Sequence, residues 1–248
     1  MKKSKFIVAN WKMNLTINSS KELIESTEIA IRNLDSCIKV IICPQFPLIP
    51  VLNDYLDSSS LISIGAQDCH HEINGAFTGE TSIELLKEFN CKYIISGHSE
   101  RRLNNFESSN LVKRKIKRII GSSLIPILCV GETLEDRKSN KYLEVISKQL
   151  LDSLPENINN ILIAYEPIWS IGTGLIPELS QINEVAKHIK MFINGSEKKI
   201  KKLSILYGGS VNSDNFLDIF NLVNIDGGLV GGASIKNNEF NKMLKNLI

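Results

Sequence analysis

The sequence has no apolar run approaching the roughly 18 residues needed to cross a membrane, and no cysteine pair in a C-x-x-C spacing. Its five cysteines, Cys37, Cys43, Cys69, Cys91 and Cys129, are odd in number and scattered over 248 residues. A disulfide framework is not expected, and the setting reads as the reducing cytoplasm. An excess of one charge is missing too. A net charge of +2 gives no reason to expect nucleic acid or a membrane as partner. Two basic runs, Lys113 to Arg118 and Lys198 to Lys202, read as solvated faces, the first because Ile116 and Ile119 interleave it at helical spacing. The opening carries lysines but only four apolar residues before Asn10, too few for the core of a signal peptide. Nor does a G-x-G-x-x-G follow the first apolar run, which counts against an open dinucleotide-binding sheet.

What the chain does contain is a rhythm. Eight short runs rich in β-branched residues recur: Phe6–Ala9, Lys39–Cys43, Ile62–Ala66, Tyr93–Ser96, Ile125–Val130, Ile161–Ala164, Ser204–Tyr207 and Gly228–Val230. Runs of this kind suit strands buried on both faces of a parallel sheet. Between them the apolar spacing turns helical, as in Leu23, Ile24, Thr27, Ala30 and Ile31 behind the candidate caps Asn18 to Ser20. Ile182, Val185, Ala186 and Ile189 do the same, with Pro177 and Glu178 expected in the first turn. Eight alternations without a linker or composition shift predict an α/β chain folded as one (β/α)8 barrel domain over residues 1–248.

In such barrels the chemistry sits at the carboxyl ends of the strands. The sixth run delivers Glu166, with Pro167 ending the strand and an apolar setting that could raise the carboxyl's pKa towards that of a working base. Ile168 to Ile176 follows as a lid with glycines at 172 and 174. The first run delivers Asn10 and Lys12; the fourth delivers His98 where a helix should begin, a position that favours neutral imidazole. Cys129, after the fifth, reads as a packed thiol. His70 and His71 lie near Cys69, but neighbours on a strand point to opposite faces, so no metal site is expected. The seventh and eighth runs end in Gly208-Gly209-Ser210 and Gly231-Gly232, whose bare N–H groups suit a phosphate.

Together, Val8 to Asn14, Gly75 to Glu80, Gly97 to Arg102, Cys129 to Thr133, Ala164 to Gly174, Tyr207 to Asn212 and Gly231 to Ser234 resemble the triosephosphate isomerase family, in family order and along essentially the whole chain. The resemblance implies the TIM barrel and an isomerase of glycolysis and gluconeogenesis, working on a phosphorylated triose without metal or cofactor. It implies Glu166 as base and His98 as electrophile; the family is itself the standard example of a neutral histidine in that role. Lys12 and Asn10 would face the substrate, and Glu100 and Cys129 would support the site. Gly172, Ser210, Gly231 and Gly232 would offer backbone donors to the phosphate. Thr78 would reach across a homodimer interface. Three departures stand out: Leu175-Ile176-Pro177 makes a far hinge about two residues shorter, Asp68 stands where asparagine is usual, and Gly228 replaces a bulky residue. Alternatives are another phosphate-binding barrel enzyme and an inactive interaction protein on the same scaffold.

Overall fold

Every strand pairs in parallel with the next, and the eighth closes on the first. The computed structural model describes residues 4–57 and 59–248, so Lys2 and Lys3 of the opening run lie outside the described residues. The strands are β1 (Lys5–Asn10), β2 (Ile38–Cys43), β3 (Ile62–Ala66), β4 (Tyr93–Ser96), β5 (Ile125–Val130), β6 (Asn157–Tyr165), β7 (Lys199–Tyr207) and β8 (Gly227–Val230). The helices are α1 (Ile17–Ile31), α2 (Leu48–Tyr55), α3 (Ile83–Glu88), α4 (Ser99–Asn104), α5 (Ser109–Gly121), α6 (Leu134–Lys138), α7 (Tyr142–Ser153), α8 (Leu179–Gly195), α9 (Phe216–Phe220) and α10 (Asn237–Lys245).

Period-two alternation sorts each strand between two cores. Phe6, Val8, Ile41, Ile95, Ile127, Cys129, Leu162, Ala164, Leu206 and Leu229 form one cluster, contributed by the strands alone, that fills the barrel. Their neighbours Ile7, Ala9, Ile42 and Ile94, or Leu128, Ile161 and Ile163, pack outwards on the helices. This parity positions the site. Asn10 continues the inward series Phe6–Val8, and Glu166 continues Leu162–Ala164.

Several local expectations need correcting. β6 and β7 begin earlier than their apolar runs, because Asn157 and Lys199 already pair as a polar ribbon below the barrel. α1 is capped by Thr16, in a capping box with Ser19, and not from within Asn18 to Ser20. α2 has no counterpart in the sequence reading; Pro50 sits in its first turn, where the missing N–H costs no hydrogen bond. Pro177 does not start α8. Glu178 is the cap, boxed with Gln181, so proline lies one residue outside the helix.

The largest correction concerns α5. Arg114 and Lys117 face water as expected, but Lys115 is 2% exposed. Its ammonium meets Asp68 at 2.7 Å and Glu107 at 2.6 Å. A cation amid an otherwise basic, wet-looking stretch is thus an interior residue, recruited by two acids from elsewhere.

Candidate active site

Glu166 is 1% exposed and its Oε2 accepts the Ser99 N–H at 3.0 Å. Its other oxygen, Oε1, has no hydrogen-bond partner and lies 3.0 Å from His98 Nε2; the separation is short, but the N–H is not aimed along it. Two glycines make this placement possible. A Cβ on Gly131 would overlap the Glu166 carbonyl, and one on Gly208 would come within 2.9 Å of its Cγ. These clearance roles were not legible in the sequence, because the atoms that need the room come from the continuation of another strand.

His98 caps α4. Its Nδ1 accepts the Glu100 N–H at 3.2 Å, so that nitrogen carries no proton and the ring proton belongs on Nε2, towards the cleft. The reversal of direction at Gly97, with φ +68, takes the chain out of the strand just before His98. Below Glu166 lies Cys129, fully buried. Burial first, and the Glu166 charge second, push its thiol well above the ordinary range. It is a packed thiol and no nucleophile.

Lys12 sits at φ +52, an unfavourable backbone for a side chain of this kind. Its N–H bonds Asn10 Oδ1 at 3.1 Å and its carbonyl accepts Gln67 Nε2 at 2.8 Å, which fixes the turn. The ammonium reaches Glu100 Oε1 at 2.6 Å. Gly231 leaves room for this lysine, whose Cε would be 3.2 Å from a Cβ there.

The lid begins as a 3-10 turn, Ile168–Ser170. Its near end is tied to Glu132, a residue the sequence reading passed over. Glu132 Oε1 accepts Trp169 Nε1 at 2.9 Å and Tyr165 Oη at 3.0 Å, while burial raises its pKa. Gly172 and Gly174 have φ +71 and +78, which few other residues tolerate. Against the lid's inner side, Ser170 Oγ contacts Leu175 O, Ser210 N and Tyr207 Oη.

A cleft of about 550 Å³ brings together Asn10, Lys12, His98, Glu166, Gly172, Ser210, Gly231 and Gly232. Glu100 lines a hollow of about 110 Å³ beside it, with Asn10, Lys12 and Gln67. Thr78 is apart, exposed on the loop after β3. In that loop the expected divergence of His70 and His71 fails: both lie beyond the strand and their rings stand 4.3 Å apart. Phe77 packs on His70 at 4.1 Å. Asp68 is buried and forms an ion pair with Arg101 Nη2 at 2.8 Å as well as accepting from Lys115, while Glu107 accepts Arg101 Nε at 2.6 Å. Two acids therefore share two cations. Burial dominates at Asp68 and raises its carboxyl to about 6. At Glu107, burial is outweighed by Lys115 and Arg101, which hold its pKa low.

A buried carboxylate beside a histidine in a glycine-lined cleft, at the carboxyl end of a closed parallel barrel, is the arrangement of a barrel enzyme suited to acid–base chemistry. The family model described as triosephosphate isomerase matches residues 5–247, and the chain belongs to the triosephosphate isomerase family. Among relatives, the triosephosphate isomerase of Endomicrobium trichonymphae is 38% identical over 244 residues, covering 96% of this chain and 97% of its own. That of Vibrio sp. (strain ANT-300) is 40% identical over 245 residues, 96% of each chain. That of Rhizobium meliloti (strain 1021) is 39% identical over 237 residues, 94% of this chain and 92% of its own. The activity is that of an aldose–ketose isomerase.

Proposed function

We propose the following division of labour for the interconversion of dihydroxyacetone phosphate and D-glyceraldehyde 3-phosphate. Glu166 removes a proton from C1 of the ketose while His98 Nε2–H donates to the carbonyl oxygen. The resulting enediolate is reprotonated at C2 by the same carboxyl group, while His98 passes its proton to O2 and recovers one from the O1 hydroxyl, so that the carbonyl ends on C1 and both residues return to their starting states. Lys12 and Asn10 face the developing oxyanion, and Glu100 positions the ammonium. The N–H groups of Gly172, Ser210, Gly231 and Gly232 hold the phosphate. The observation that carries this reading is the buried Glu166 Oε1, unbonded and 3.0 Å from His98 Nε2. A donor placed for a developing oxyanion contributes rate because it needs no reorganisation when charge appears.

The cleft works in a single barrel domain within a homodimer. Thr78 is exposed on the loop after β3, and the loop tip of a second copy would fill the hollow lined by Asn10, Lys12 and Gln67. Phe77, at the tip of this loop, gives only partial support, since His70 of the same loop already covers part of it. Met13, next to Lys12, and Phe106, next to Glu107, are 87% and 88% exposed and are the stronger support. The setting is cytoplasmic: Cys43, Cys69, Cys91 and Cys129 are buried thiols, and no helix among the described residues is long and apolar enough to cross a membrane.

The test is a coupled isomerase assay on the purified protein and on His98→Gln. The expected result is efficient turnover by the unaltered chain and a loss of roughly 10²- to 10³-fold in the variant. Absence of turnover by the unaltered chain would leave the inactive-scaffold alternative; an unaffected variant would remove His98 from the mechanism.

A further inference from the structure

We propose that the Ser170 hydroxyl is a built-in occupant of the phosphate site: it holds the Ser210 N–H until phosphate takes that donor, so that ligand entry and lid release are one exchange. The inference rests on the assignment of the Ser210 N–H to the phosphate. In the structure this N–H is already used, donating to Ser170 Oγ at 3.2 Å. The hydroxyl is fully buried and donates its own proton to Leu175 O at 2.7 Å, across the lid. The Ser210 hydroxyl in turn donates to the Ser170 carbonyl. One side chain thus ties both ends of the lid to the loop after β7.

A hydroxyl has one proton and two lone pairs. The proton is committed to Leu175 and one lone pair to Ser210. The other faces Tyr207 Oη at 3.4 Å, a long contact. When a phosphate oxygen claims the Ser210 N–H, Ser170 would be left a buried acceptor short of a partner, which is unfavourable. Tyr207 supplies the replacement by closing that 3.4 Å gap. Burial pushes the Tyr207 phenol up to about 12, so it retains its proton in neutral solution. The count of hydrogen bonds is preserved: Ser210 moves from hydroxyl to phosphate, and Tyr207 tightens onto the hydroxyl. Ser170 is therefore a positioning residue, acting on the lid and on a phosphate donor without touching the reacting carbons.

Two deletions of one oxygen each should act in opposite directions. Ser170→Ala uncovers the donor, so inorganic phosphate should inhibit more strongly, with its inhibition constant and the substrate KM lowered roughly 2- to 10-fold. Its kcat should fall as well, since the tie to Leu175 is lost. Tyr207→Phe keeps the donor covered and removes the replacement, so the same constants should rise. A merely structural role for Ser170 would raise KM or leave it unchanged, and either result overturns the exchange. If Ser170→Ala does not fold, the unaltered protein decides. On titration with inorganic phosphate, the amide resonances of Ser210 and of residues 171–176 should move with one midpoint. Movement of Ser210 without the lid would overturn the exchange alone. No movement of Ser210 would also remove its assignment to the phosphate.

Discussion

Glu166 Oε2 accepts the backbone N–H of Ser99 at 3.0 Å, so the carboxylate proposed as the base rests against the first turn of α4 with only one oxygen free. In the proposed mechanism it leaves that donor to reach carbon; Gly208 provides the clearance beside its side chain and Gly131 the clearance at its carbonyl. The parked carboxylate is thus positioned by backbone, not by a cation. Its reach, more than its charge, is what a substitution would test first.

Shortening that reach by one methylene misplaces the carboxylate by about an ångström, which costs roughly 100-fold in rate. Glu166→Asp should therefore lose kcat to about that extent with little change in KM. Glu166→Gln has no base and should lose more. Steady-state kinetics in both directions check this; near-full activity of the glutamine variant would show that another group removes the proton.

The lid is expected to guard the intermediate as well as hold it. An enediolate beside a phosphate ester can eliminate phosphate when the site stays open, and lid closure in this family is a standard example of water exclusion. Deleting residues 170–173 should lower kcat sharply and divert substrate to methylglyoxal and inorganic phosphate. Chromatographic product analysis reads the partition. Unchanged turnover without extra methylglyoxal would dismiss the guarding role.

Association should be visible without substrate. Sedimentation at micromolar concentration is expected to give about twice the 27.8 kDa chain mass. Replacing Thr78 and Phe77 by aspartate should shift the protein to monomer and cut activity, because charges at an apolar contact are costly to bury. A monomeric unaltered chain with full activity would contradict the dimer.

Asp68 gives a pH dependence of definite sign. Its folded pKa, about 6, lies above its ordinary 3.8, so between those values the folded state binds the extra proton. Its contribution is therefore largest at low pH and is lost as pH rises through 6, opposite to an acid stabilised by its cations. Glu107, held low, contributes in the opposite sense, and its share is lost only in stronger acid. Comparing the unaltered chain with Asp68→Asn isolates the first effect: the stability difference should move by about 1 kcal/mol in favour of the unaltered chain between pH 7 and 5. Removing Lys115 instead, as Lys115→Met, should cost about 3–5 kcal/mol, since two buried acids lose a partner. Urea denaturation at the two pH values measures both, and a pH-independent difference for Asp68→Asn would show that Asp68 does not titrate there.

The sequence by itself determined the barrel and placed most of the residues that line the cleft. Strand periodicity is local, and so is the placement of Glu166, Asn10 and His98 at strand ends; counting in twos from Leu162 or Phe6 already points Glu166 and Asn10 inwards. What only the tertiary structure decided was who meets whom across the barrel. Lys115 reads as a solvent residue because its neighbours in sequence are basic and wet; Asp68 and Glu107, which bury it, come from other segments. The clearance at Gly131 and Gly208 has no local signal because the atoms they make room for belong to the continuation of β6. Ser170 has no signal at all in the chain, since its meaning lies in three groups, Leu175, Tyr207 and Ser210, that only folding brings to one hydroxyl. Local periodicity records which way a residue points, whereas a buried partner or a close approach depends on distance in space, which a linear pattern does not carry.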